Sequence, residues 1–278
     1  MAMLKLIDPM SAAKIAAIVY LIGGFVAALF IVPVIAAISS TYQFNGIGAL
    51  ALLIIIPVSA LISGFIIFGI GSVVYNIVVK KFGGIIVDIK SGRLARVEPF
   101  SLGKIAAIGG AIGGFVLGIV FAVMFAVIGA AGGSGLIGAF GFAAIVVLPM
   151  VFAIVFFVIY AIDAIIYNFL AAKIGGVAIV IRDSELRKVG AASYAKINGC
   201  IGAIFGLVQG ILVAAQSSYA TRLTHIGAYT AALHTLGLAA VIILPVSYFI
   251  LGFVVSLVEA WVYNFAAKRI GGARITLS

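Results

Sequence analysis

Residues 73–89 read VVYNIVVKKFGGIIVDI, residues 165–181 read IIYNFLAAKIGGVAIVI, and residues 261–277 read WVYNFAAKRIGGARITL. Each has the same parts in the same order: an apolar run, Tyr-Asn, a lysine, Gly-Gly, and a short β-branched tail. The apolar run predicts the end of a membrane helix. Tyr75, Tyr167 and Tyr263 then fall where an aromatic belt is expected, ring in lipid and hydroxyl in water. Lys80, Lys173 and Lys268 follow and are able to snorkel to the headgroups. Gly83-Gly84, Gly175-Gly176 and Gly271-Gly272 stop the helix and turn the chain. The tails IIVDI, VAIVI and ARITL predict short strands.

Working outward, the pattern extends over the chain. Pro57, Pro149 and Pro245 each close an aliphatic run, with Phe65, Phe157 and Phe253 eight residues on and the Tyr-Asn pairs (Asn76, Asn168, Asn264) beyond. The front ends match as well: DPMSAAKIAAI at 8–18, EPFSLGKIAAI at 98–108 and, more loosely, GAASYAKINGC at 190–200. Self-similarity at a fixed period is the mark of a repeat architecture. Each unit reads as short strand, serine N-cap (Ser11, Ser101, Ser193), helix A, outer loop, helix B, Gly-Gly and short strand. Serine before an apolar run suits a cap, because its oxygen satisfies an orphan backbone N–H.

Charged residues make up only 9% of the chain and apolar ones 65%. No Asp, Glu, Lys or Arg occurs over 15–79, 105–162 or 197–221. A span needs about 20 apolar residues, so the first two stretches each hold two helices. The N-terminal apolar run is too long for the roughly 7–15-residue core of a signal peptide and aligns with interior helices of the later units. Cys200 stands alone in an apolar helix and reads as a small buried residue.

Two helices per unit give the three units one orientation, as in parallel repeats about an axis along the membrane normal. Of the 17 Lys and Arg residues, all but Arg222 lie at the termini, at the helix ends facing them, or in the linkers. The positive-inside rule then puts both termini and both linkers in the cytoplasm of a cell-membrane protein, against anionic inner-leaflet lipid. The charges are spread over three helix ends, which argues against nucleic acid. The expected fold is an all-α polytopic bundle of six helices, pseudo-threefold, with short cytoplasmic strands between repeats. The units are 1–91 (helices 12–40 and 47–82), 92–183 (102–130 and 138–174) and 184–278 (194–217 and 236–270). LKLID and ARITL lack hairpin partners, and pairing them closes a six-stranded ring with no open edge. The small-residue stripes Gly110, Gly114, Gly118 and Gly202, Gly206, Gly210 predict close helix contact.

The two-helix unit ending in YN…GG and a strand resembles a small membrane domain of prokaryotic proteins of unassigned function. The resemblance covers each unit in turn and implies no activity. The third unit departs from it in lacking the acidic-Pro pair and in a longer outer loop, 216–237.

Catalytic patterns are nearly absent, and no enzyme activity, cofactor or metal is expected. His225 and His234 lack ligand spacing. GSGLIG at 133–138 matches a dinucleotide fingerprint only formally, with no strand before it. Two intramembrane acids stand out. Asp163 and Glu259 share one repeat position, four residues before the tyrosine, where the first unit has Gly71. Ionisable groups at such depth mark functional sites by default. Tyr167 and Tyr263 lie one turn away, close enough for their hydroxyls to reach the carboxyls, and the favoured role is structural: a protonated carboxyl bonded to tyrosine, to Gln209 or to a backbone carbonyl holds helices together. The favoured reading is a scaffold or accessory subunit of a larger membrane assembly or oligomer. The alternative is an ion or proton path through Asp163 and Glu259, although a symmetric ring wants three acids.

Overall fold

The computed structural model describes residues 1–41, 46–130, 135–223 and 227–278, with side chains described outside 37–49, 131–138 and 218–236. The elements run β1 (Ala2–Ile7), α1 (Pro9–Thr41), α2 (Gly46–Phe82), β2 (Ile86–Lys90), β3 (Arg93–Val97), α3 (Pro99–Ala130), α4 (Gly135–Ile174), β4 (Val177–Arg182), β5 (Glu185–Val189), α5 (Ala191–Leu223), α6 (Gly227–Ile270) and β6 (Ala273–Leu277). Each of the six helices contains a stretch long and apolar enough to cross a membrane, with mean hydropathy between 1.9 and 3.1. The chain is a multi-pass membrane protein by that measure.

The expected six-stranded ring is present as a closed barrel, so the all-α label is corrected to six apolar helices on a small β-barrel. The strands run in chain order, β1-β2-β3-β4-β5-β6, sealed by antiparallel pairing of β1 with β6. Closure satisfies the backbone groups that the first and last strands would otherwise leave open. The β2–β3 and β4–β5 connections are two-residue turns. Ser91 and Gly92 have φ of 48° and 70°, and Asp183 and Ser184 of 53° and 60°. Positive φ at both central residues gives the twist that joins antiparallel strands tightly. The register shifts once in β2–β3, once in β4–β5 and once in β1–β6. Such bulges bend a strand and help a small sheet curl shut.

Above the barrel the helices pair as hairpins, α1 with α2, α3 with α4 and α5 with α6. Hairpins touch their neighbours through α2–α3, α4–α5 and α6–α1, so they too form a circuit. Glycine sets the distance within the second and third hairpins. A Cβ on Gly110, Gly114 or Gly118 would lie 2.6–2.7 Å from a backbone oxygen of α4, and one on Gly202, Gly206 or Gly210 would lie 2.5–2.6 Å from one of α6. Pro149 and Pro245 are where Gly114 and Gly206 meet the opposite helix, and Pro57 does the same for Gly24. The prolines are inside their helices.

Two boundary expectations change. The serines are not caps: the helices start two residues earlier, at Pro9, Pro99 and Ala191. Proline suits a first helical position, where its missing N–H costs nothing. The caps are Asp8 and Glu98, whose carboxylates accept the N–H groups of Ser11 and Ser101. The expected long loop at 216–237 is helical over 216–223 and 227–237. Alanine is frequent there, and it favours helix even where hydrophobicity fades.

Candidate functional site

The recurring sequence converges on the junction between helices and barrel. At the seam between β1 and β2, Leu4 N–H donates to Ile85 O at 2.9 Å. The return bond of the ladder is relayed by a side chain: Ile85 N–H donates to the Tyr75 hydroxyl at 3.3 Å, which donates to Leu4 O at 2.6 Å. Between β3 and β4, Val177 N–H donates to Tyr167 at 3.2 Å and Tyr167 to Leu94 O at 2.5 Å. Between β5 and β6, Ala273 N–H donates to Tyr263 at 3.2 Å and Tyr263 to Leu186 O at 2.6 Å. The tyrosine hydroxyls are therefore engaged by strand backbone, and none is bonded to Asp163 or Glu259. They sit at the seams, where a strand N–H and C=O would otherwise lack their ladder partner.

Each neighbouring asparagine makes a second clamp. The Asn76 amide donates to Ile7 O at 2.8 Å and accepts from Ile7 N–H at 2.9 Å. Asn168 does this with Val97, and Asn264 with Val189, every bond at 2.8 Å. A carboxamide can do so because it carries both a donor and an acceptor, as a peptide group does. The serines add a third bond. Their hydroxyls accept N–H groups from Arg274, Ile86 and Ala178 at 2.9–3.0 Å, and donate to the carbonyls of Asp8, Glu98 and Gly190.

The two glycines of each pair have different duties. Gly83, Gly175 and Gly271 have φ of 75°, 83° and 84°, where a Cβ is strained. Gly84, Gly176 and Gly272 admit the strand carbonyl that the tyrosine holds. A Cβ there would lie 1.9–2.0 Å from the oxygens of Leu4, Leu94 and Leu186. The position one residue before each leucine varies. Gly84 N–H meets the Met3 sulfur, Arg93 donates to Gly176 O at 3.0 Å, and Glu185 lies against Gly271 while pairing with Arg187 at 2.6 Å.

The two intramembrane acids have different surroundings. Glu259, on α6, accepts from the Tyr194 hydroxyl of α5 at 3.4 Å. It lines a cavity of about 500 Å³ that lies between the first and third hairpins, with strands β1, β5 and β6 beneath. Asp163, on α4, is half-buried and has no hydrogen-bond or ion-pair partner among the described residues. Gln209 is exposed on α5. Its neighbour Gly210 packs at Ala240 of α6, about 28 Å along the helix from Glu259 at 1.5 Å per residue. Gln209 and Glu259 are therefore not brought together.

His225 lies outside the described residues, as do Gly133 and Ser134 of GSGLIG, whose remaining residues begin α4; His234 and Arg222 have no described side chain. Among the described residues no three His, Cys, Asp or Glu side chains cluster as metal ligands. Tyr194 was missed in the sequence. Its signal was available: it replaces Ala12 and Leu102 at one repeat position, in the same unit that carries Glu259. Comparison with protein-family models, with curated proteins and with solved structures gave no match.

Proposed function

We propose that the chain is a membrane scaffold, an accessory subunit whose task is to hold three helix hairpins on one rigid ring for other membrane components to pack against. The observation that carries this reading is where the recurrent polar residues are used. Tyrosine, asparagine, serine and both glycines of each unit all bond or fit the hairpin to the barrel, which leaves the outer helix faces apolar and without a described partner. Large residues such as Phe140, Ile154 and Phe169 on α4 are more than 60% exposed in the isolated chain. The recurrence of the same bonds favours a pseudo-threefold arrangement of three units, and the YN…GG unit remains similar to the small prokaryotic membrane domain named above. The basic barrel rim supports a cytoplasmic position against anionic lipid.

Native mass spectrometry after mild detergent extraction tests the scaffold. A stable assembly with itself or with other subunits is expected; a lone 28.6 kDa chain in every mild detergent overturns it. Cysteine placed at Ser91 or Ser184 is expected to react only with reagents that reach the cytoplasm. The ion-path alternative has less support, because Asp163 and Glu259 have dissimilar surroundings and the first hairpin offers Gly71. Unchanged proteoliposome flux in the double variant Asp163→Asn, Glu259→Gln would dispose of it.

A further inference from the structure

We propose that the cavity at Glu259 is a binding site for an organic ammonium ion with apolar substituents. The walls are α1, α2, α5 and α6, and the floor is barrel strand. Its volume of about 500 Å³ lies within the range of small-molecule sites, roughly 300–1,000 Å³. Four aromatic residues line it: Tyr20, Phe68, Tyr194 and Tyr263. Tyr20 and Phe68 meet edge to face, with centroids 5.7 Å apart. Most of the polar atoms are committed elsewhere. The Ser72 hydroxyl donates to Phe68 O at 2.7 Å, and the Tyr263 hydroxyl is held in the barrel seam. Glu259 is the exception, since its carboxyl has one long bond from Tyr194 and keeps most of its acceptor capacity.

A carboxylate in an apolar wall needs a cation, because an unpaired charge there is costly. Such a carboxyl is either protonated or paired, and no lysine or arginine lines the cavity, so a cation that pairs with the ionised form has to come from a ligand. Aromatic faces and one carboxylate together recognise an alkylated ammonium, whose charge is diffuse and whose substituents are greasy. An anion would be repelled by Glu259, and a neutral hydrocarbon would leave the carboxyl uncompensated. The cavity owes its shape to the first hairpin, where Tyr20 stands at the position of Gly110 and Gly202. This function is independent of the scaffold reading.

The test is calorimetric titration of the full chain in detergent with benzyltrimethylammonium and, separately, with its neutral carbon isostere. Saturable binding of the cation is expected, with the isostere weaker by about tenfold or more. Equal affinities, or no saturable cation binding in the millimolar range, overturn the proposal without recourse to any variant. Glu259→Gln is expected to remove the preference for the cation; a folded Glu259→Gln that keeps it overturns the proposal. Ala16→Phe is expected to abolish binding by filling the cavity while the carboxyl stays. Competition by a short-chain phosphatidylcholine, and not by the phosphatidylglycerol with the same chains, would identify a lipid headgroup as the source of the ammonium. Competition by neither would point to a free cation, and both results uphold the site. Equal competition by the two lipids would show acyl-chain binding and overturn it.

Discussion

In the second hairpin Gly110, Gly114 and Gly118 lay α3 on the backbone of α4, and Gly202, Gly206 and Gly210 do the same for α5 on α6. The first hairpin keeps Gly24 but has Tyr20 and Ala28 at the flanking positions. There α1 and α2 pack less intimately. Backbone approach persists at Gly24 and Gly64, but side chains make the rest of the contact: Ala28 and Val32 are buried with Leu52, Leu53 and Ile56 around them. Gly64 of α2 makes room for Tyr20, since a Cβ on it would lie 2.9 Å from the tyrosine Cβ. One unit design thus yields two kinds of contact, separated by Tyr20 and Ala28 at two positions that are glycine in the other units. Backbone contact tolerates no added atom. Side-chain contact tolerates change and leaves space, which here is the cavity.

The comparison can be broken by experiment. The largest effect is expected from deleting residues 273–278, which removes β6 and leaves β1 with only its short pairing to β2. Protease sensitivity of residues 1–20 should rise far more than that of the second hairpin. Equal protection of both would show that the barrel does not hold the first hairpin. Next, Gly176→Val is expected to destabilise by several kcal/mol, because backbone oxygen cannot move aside as a side chain can. Gly175→Ala, where φ is positive and the close neighbour is the movable Arg93 side chain at 3.2 Å, should cost about 1–2 kcal/mol. Thermal unfolding in detergent orders the two.

A pair of substitutions addresses the hairpins directly. Gly110→Ala puts a Cβ 2.7 Å from Phe152 O and should cost about 1–3 kcal/mol. Tyr20→Ala removes a ring that is 41% exposed and should cost less. The reverse order would refute the distinction between backbone and side-chain contact. The smallest effect concerns the caps. Burial raises the Glu98 pKa, but hydrogen bonds from Ser101 and Phe100 and the nearby Arg96 outweigh it, so the carboxyl lies below its ordinary 4.5. A carboxylate with a depressed folded pKa adds stability above its unfolded pKa and loses it as pH falls through the folded one. Acidification below about pH 4.5 should therefore weaken the start of α3 by a few tenths of a kcal/mol, given solvent screening. The start of α5, where Gly190 replaces the acid, should not respond. Amide hydrogen exchange at both helix starts checks this.

The helices were legible because charge is excluded over spans no soluble fold would need. The ring was legible because LKLID and ARITL were strands without partners. Gly-Gly could be read as a turn, yet only the structure separates a glycine needed for its φ from one needed for its size. Tyr-Asn was misread. A tyrosine at a membrane helix end suits the interface so well that composition alone cannot reveal a hydroxyl spliced into a strand ladder. The cap lies three residues before the serine in the first two units, because the acidic-Pro pair, visible in the sequence, supplies both the cap and the first helical residue. The cavity was hidden for a different reason. It depends on Tyr20 occupying a glycine position in a stripe that becomes apparent only when the three units are laid side by side.

The seams of the barrel carry a mechanical consequence. Register pairing is short across β1–β2, β3–β4 and β5–β6, two residue pairs each, and longer across the other three interfaces. Each hairpin stands astride a short seam, one helix rooted on either side. Helices moved apart in the plane of the bilayer would pull on the strands below, and the tyrosine hydroxyl, bonded to both lips of the seam, would share that load with the backbone ladder and the asparagine clamp. Opening any one seam would break a tyrosine relay, an asparagine clamp and two residue pairs together, so the three short seams are fastened from the helix side as much as by their own strands.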